Sequence, residues 1–182
     1  MFTHKALTTW GEVEDFKHFL PRIFELMATS EFADDVTILY KLDYGEFDTW
    51  DETEKDAVKQ FLLAWWADVA AHKNWFNKEL FIEALKRTGD IKPLLQSWVI
   101  NEKDNSIRNI VNFIHFHFID VIKPAYLFKQ MEQADRLYFI KWINRQTPLL
   151  ENAFFHFEKK DPEFAQEISN ALYILEHNTI DI

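Results

Sequence analysis

The stretch Phe61-Leu62-Leu63-Ala64-Trp65-Trp66-Ala67 decides the fold class. It is apolar on every side of a helix, and such a helix is buried in the middle of its domain. The entry to it, Thr49-Trp50-Asp51-Glu52, reads as a capping box. The Thr49 hydroxyl is expected to accept the Glu52 amide, and the Glu52 carboxylate to return to the Thr49 amide. Asp51, Glu52 and Glu54 crowd the N-terminal end, where the helix dipole favours negative charge. An apolar run this short cannot span a bilayer, which takes about 20 residues. Phe61 and Trp65 are therefore predicted near the domain centre, with Ile114 and Phe118 of a later helix.

Working outward, Pro, Gly and capping residues divide the 182-residue chain into about nine helical segments. Glu12 to Thr29 is predicted helical, broken or kinked near Pro21, with Phe16, Phe19, Leu20, Ile23, Phe24 and Met27 on one buried face. Asp34 to Tyr44 follows, with Gly45 as a left-handed C-terminal cap. Asn77 to Thr88 stops at Gly89, and Asp90-Ile91-Lys92-Pro93 opens another helix. Asn105 to Ile122 carries a stripe of Ile107, Ile110, Val111, Ile114, Phe118, Val121 and Ile122. Phe113, Phe116 and Ile119 lie off that stripe, which predicts a second central helix. Gln130 to Asn144 comes next. The last two helices open on a cap followed by Pro at the first helical position, Thr147-Pro148 and Asp161-Pro162. The final one has a one-sided stripe of Phe164, Ile168, Ala171, Leu172 and Leu175. No segment of useful length alternates with period two. The expected fold is all-α, a single domain over residues 1–182. Short connections favour antiparallel helix neighbours, built as an α–α superhelix of HEAT-like helix pairs or as an irregular helical bundle.

Composition agrees. Eighteen Phe and seven Trp stand against three Gly and no Cys. Few glycine-dependent turns or phosphate-cradling loops can form, and disulfides, thiolate zinc sites and cysteine nucleophiles are excluded. The start, Met1-Phe2-Thr3-His4-Lys5, leads into polar residues without the apolar core of a signal peptide, so a cytoplasmic location is expected. The net charge of −10 disfavours nucleic acid and anionic membrane, which bind through Lys and Arg. A basic protein partner fits better, as does plain solubility.

Motifs for chemistry are sparse. His117 and Asp120 at i,i+3, with His156, are the nearest approach to a metal site. Glu-x-x-His, the helical di-metal signature, does not occur, and hydrogen-bonded histidines beside a stripe are preferred, so no metal and no cofactor is expected. Asp15, His18 and Arg22 share one face of the first helix and could hold a general base by a carboxylate; a surface charge network gives the same spacing. No P-loop, dinucleotide fingerprint or Gly-x-Ser-x-Gly is found. The best recognition candidate is Asp43-Tyr44-Gly45-Glu46-Phe47-Asp48-Thr49-Trp50, which sets Tyr44, Phe47 and Trp50 among acids between two helices. The competing reading folds Phe47 and Trp50 back to seal the junction. Trp65, Trp66 and Trp75, with Phe61 and Phe76, could stack on an aromatic ligand, but without interleaved bases core packing is preferred. Lys86-Arg87-Thr88 beside Gly89 is read as stabilising a helix C-terminus.

The segments ALTTWGEVEDFKHFLPRIFEL at 6–26 and Lys41-Leu42-Asp43-Tyr44 through Thr49-Trp50 to the AWW at 64–66 resemble an uncharacterised family of bacterial all-helical proteins. The resemblance covers roughly residues 6–70 and is loose beyond. It implies bacterial origin and an all-helical domain, and that further residues can precede the first segment. It assigns no activity, cofactor or binding residue. The functional expectation is a protein–protein interaction scaffold or adaptor, in its specific form an acidic inhibitor or immunity-type protein. The alternative is an enzyme or small-ligand binder with a pocket among the aromatic helices.

Overall fold

Residues 12–29 and 35–178 are described by the structure, a computed structural model. The residues before Glu12, Asp34 as the expected helix start, and the chain after Asn178 lie outside the described residues. Nine α-helices and two short 3₁₀ turns make up the described chain, without strands. They are α1 (Val13–Ala28), α2 (Asp35–Tyr44), a turn at Phe47–Thr49, α3 (Glu52–His72), α4 (Lys78–Thr88), α5 (Ile91–Ser97), α6 (Ser106–Ile122), a turn at Tyr126–Gln130, α7 (Gln133–Asn144), α8 (Thr147–Phe157) and α9 (Pro162–His177). Two compact units emerge: one holds the described residues up to Trp65 together with Glu79–Gly89, the other Trp66–Lys78 and those from Asp90 onward.

In the first unit, α1 runs unbroken through Pro21. The ring costs one amide but does not end the helix, because Leu20, Ile23, Phe24 and Met27 on either side of it are all buried. Phe19, expected on that face, is instead exposed and lies edge-on to His18. Gly45 follows α2, but not as the left-handed cap: Glu46 takes that conformation, at φ 54°. Gly45 is required for space, since a Cβ there would stand 2.7 Å from the Phe16 ring. The capping box also moves. Thr49 donates its hydroxyl to the Glu46 carbonyl at 2.8 Å, and so serves as the last residue of the 3₁₀ turn. Asp51 caps α3 in its place, accepting the Glu54 amide at 2.9 Å, while the Glu54 carboxylate accepts the Asp51 amide at 3.3 Å.

The central helix of this unit is α4, whose residues Leu80 to Leu85 are all buried. The sequence marks it poorly because Glu83 and Arg87 interrupt the apolar surface. They pair one turn apart at 3.2 Å, which lets a charged face enter the interior. Gly89 ends the helix as expected, in the left-handed region at φ 72°, with its amide on the Leu85 carbonyl.

The second unit is built on rings. Trp66 meets Trp98 edge-on at 5.6 Å, Phe76 stacks on Trp98 at 5.5 Å, and Phe113 stacks on Phe139 at 4.8 Å. Trp66 also donates its indole N–H to the Leu94 carbonyl, which satisfies the polar end of a fully buried Trp. Phe113 belongs to this core, and Ile114 and Phe118 are buried as expected. Phe116 and Ile119, the other residues off the α6 stripe, are exposed, so α6 is apolar beyond what burial requires. α9 packs on α8 and α6 through Phe164, Ala165, Ile168, Ala171 and Leu175. Asp161 caps it by accepting the Phe164 amide. Thr147 does not occupy the cap position of α8: it is the first residue of the helix, Gln146 precedes it as the cap, and its hydroxyl donates to the Asn144 carbonyl at 2.9 Å.

Candidate functional site

An apolar groove of about 510 Å³ lies between α1 and α3 in the first unit. Leu20, Pro21 and Phe24 form one wall; Ala57, Val58 and Phe61 form the other. Phe24 lies flat on Phe61, with centroids 4.1 Å apart and planes within 3°. The ladder continues to Trp65, 6.5 Å from Phe61 and nearly parallel. Trp65 is buried, whereas Phe61 is only half-buried, because its ring forms part of the groove surface rather than the domain centre expected for it.

Trp50 closes the groove. Its indole N–H is held at 2.6 Å by the Gly45 carbonyl, and Lys17 Nζ stands 4.9 Å over its ring. Lys17 also donates to the Glu54 carboxylate at 2.9 Å. That hydrogen bond raises the Lys17 pKa above its ordinary value. The remaining charged wall residue, Glu25, pairs with Arg22 at 2.6 Å. Among the described residues no Ser, Thr or His lines the groove. It is shaped to exclude water from an apolar group, with a charged pair at its rim.

The structure separates the residues of the expected recognition loop. Phe47 and Trp50 are buried and meet edge-on at 5.4 Å, so they seal the junction between α2 and α3. Burying two large rings outweighs displaying them to solvent. Tyr44 remains outside at 60% exposure, with Lys41 Nζ 5.3 Å above its ring. Trp50 reaches a candidate site only through the groove it closes.

Asp15, His18 and Arg22 do not form an acid–base set. Asp15 accepts the Glu12 amide at the start of α1, His18 lies edge-on to Phe19, and Arg22 pairs with Glu25. His117, Asp120 and His156 are not gathered either. Among the described residues no group of three or more His, Asp or Glu is placed to hold a metal ion. His156 Nε2 meets Lys160 at 3.0 Å. His117 sits among Phe76, Phe113 and Phe128, with Nδ1 buried and unpartnered. Burial, reinforced by the Lys78 charge and opposed by Asp120, lowers its pKa.

The basic cluster has a role its sequence position does not suggest. Arg87 is buried rather than displayed at a helix end, and its guanidinium reaches Asp43 at 2.8 Å, Glu83 at 3.2 Å and the Leu39 carbonyl. Lys86 joins it on Asp43 at 2.7 Å. Hydrogen bonds from Arg87 and then Lys86 hold the Asp43 carboxyl at a pKa of about 2, against the opposing effect of burial. This network ties α2 to α4 through both terminal nitrogens of Arg87, and leaves its buried Nε without a hydrogen-bond partner.

The groove residues were legible in the sequence only as core. Leu20, Phe24, Val58 and Phe61 have helical spacing, and nothing local distinguishes a wall from an interior. Pro21 is the one signal: within α1 it denies the Lys17 carbonyl its helical donor, and both residues line the groove. The fold and site define an all-α protein with an apolar inter-helical groove and no assembled catalytic set among the described residues. The chain matches no protein-family model, no curated protein and no solved structure.

Proposed function

We propose that this protein is a protein-binding adaptor whose α1–α3 groove takes the apolar face of a basic amphipathic helix. The groove itself carries the reading: a ring-floored apolar slot between two helices is the surface that helix-in-groove recognition uses. Its surroundings supply the partner's charge. Lys17, Arg22, Lys55 and Lys59 on α1 and α3 are each paired with a carboxylate, and the whole chain carries −10. A partner with Lys and Arg flanking its apolar stripe complements that field. The specific form is an acidic inhibitor or immunity-type protein that neutralises a basic enzyme. This reading takes the chain as a cytoplasmic member of the bacterial family its 6–26 and 41–66 segments resemble. Among the described residues no helix is long and apolar enough to cross a membrane.

Two designed peptides test it, with the same Leu/Phe stripe and either Lys/Arg or Glu on the opposite face. Fluorescence anisotropy should show the basic peptide binding, and Ala57→Lys, on an exposed groove position, should weaken it about tenfold. Equal binding of both peptides, or indifference to Ala57→Lys, overturns the proposal. The groove volume also lies in the range of roughly 300–1,000 Å³ used for small molecules. If a small aromatic probe binds there and neither peptide does, the small-ligand reading replaces the adaptor.

A further inference from the structure

A second site lies in the other unit and does not rest on the groove. Three asparagines, Asn105 just before α6 and Asn109 and Asn112 within it, stand about one turn apart and clamp the end of α3 and the segment that follows it. Asn105 Nδ2 donates to the His72 carbonyl at 2.7 Å. Asn109 Nδ2 donates to the Lys73 and Trp75 carbonyls, each at 3.2 Å. Asn112 Oδ1 accepts the Phe76 amide at 2.9 Å. The clamp holds the backbone of a short connection rigidly, yet the Trp75 side chain it positions stays 50% exposed. Phe116, on α6, is 68% exposed. Both rings line a cleft of about 400 Å³ with Asn74, Asn112, His115, Arg108 and Glu167.

The polar groups of this cleft are fixed in mixed roles. His115 Nε2 lies 2.9 Å from the Glu167 carbonyl. A carbonyl only accepts, so Nε2 carries a proton, and in the neutral ring Nδ1 is left as an acceptor. Asn112 uses its oxygen on Phe76, which leaves its amide nitrogen as a donor. The Glu167 carboxylate adds acceptors. Arg108 gives one terminal nitrogen to Asp161 at 2.6 Å and stacks on Phe164 at 3.9 Å, which positions its other N–H groups. Because Asp161 already balances Arg108, the cleft has no positive surplus with which to hold an anion. It offers donors and acceptors side by side, next to two open aromatic faces.

We propose that this cleft binds a neutral carbohydrate. Vicinal hydroxyls both donate and accept, which matches the Asn, His and Glu set, and the C–H face of a sugar ring packs on the negative face of an aromatic. Holding the Trp75 backbone in place reduces the main-chain entropy lost on binding.

The test is an NMR titration of the ¹⁵N-labelled full chain with maltose, cellobiose, lactose and diacetylchitobiose, with a glucose phosphate as the anionic arm. At least one neutral disaccharide should shift the Trp75 indole and Asn112 amide resonances saturably. Trp75→Ala should weaken that binding about tenfold while far-ultraviolet circular dichroism stays unchanged. Glu167→Gln, at an exposed position on α9, should weaken it too and serves if Trp75→Ala fails to fold. The proposal falls if none of the four sugars shifts these resonances, if binding is indifferent to Glu167→Gln, or if the phosphate binds more tightly than the sugars. The peptide experiment on the groove is independent of each of these results.

Discussion

Arg87 has a side chain only 1% exposed, placed between Asp43 and Glu83, and three consequences follow from charges handled in this way. Arg87→Ala leaves the buried Glu83 carboxylate without its partner and should cost about 3–5 kcal/mol in denaturant unfolding. A loss below about 1 kcal/mol would show that water reaches Glu83. Asp43 sets an acid limit. Its folded pKa of about 2 lies below the ordinary 3.8, so its contribution is present above that ordinary value and is lost as pH falls through about 2. The carboxylate is partly exposed, so screening reduces this contribution to about 1 kcal/mol, and Asp43→Asn should flatten the stability profile in that window. His117 acts at milder pH. Its pKa is lowered, so the folded state binds a proton less readily than the unfolded chain. Stability should therefore fall as pH drops below the ordinary 6.5. Thermal melts of His117→Phe should lose that dependence, because the variant has no imidazole to protonate.

The start of α3 shows where local reading misplaces an element's controls. Thr49 and Glu52 have the spacing of a capping box, yet the side chains that cap are Asp51 and Glu54. Sequence spacing alone fits both pairs. The choice is made by the 3₁₀ turn at Phe47–Thr49, which exists because Phe47 and Trp50 turn inward. Asp51→Ala should cost about 1 kcal/mol, and Glu52→Ala much less, by urea unfolding of the two variants. The reverse order would restore the Thr49 box. α4 makes the same point about burial: its apolar residues were legible, but its place inside the first unit was not. That position depends on Arg87 pairing with Glu83 one turn away and with Asp43, 44 residues away in sequence.

At the scale of the whole molecule, the charge of −10 is the dominant long-range quantity. Lowering the ionic strength from about 0.15 M to about 0.01 M lengthens the Debye screening distance from about 8 Å to about 30 Å. Self-repulsion then extends across the chain, and the melting temperature should fall. Association with a basic amphipathic helix should become faster under the same change, mainly through the on-rate. Stopped-flow and thermal melts over one salt series check both signs. A melting temperature that rises as salt is removed would mean that local ion pairs outweigh the net charge.

What the sequence determined by itself was the all-α class and nearly every helix, because apolar spacing, Pro and Gly punctuation and the absence of period-two segments are local properties of the chain. It also determined that thiol chemistry is excluded. Tertiary structure decided which apolar residues became surface. Phe61 has the same helical spacing as core residues and instead forms part of a groove surface, while Phe116 and Trp75 stand exposed beside a cleft. It also decided that Phe47 and Trp50 close a junction and that Arg87 is buried. Each of these outcomes depends on a partner distant in sequence: Phe24 for Phe61, the α6 asparagines for the Trp75 segment, Asp43 for Arg87. Burial is a property of such pairs, and a residue's own neighbours in the chain do not specify it.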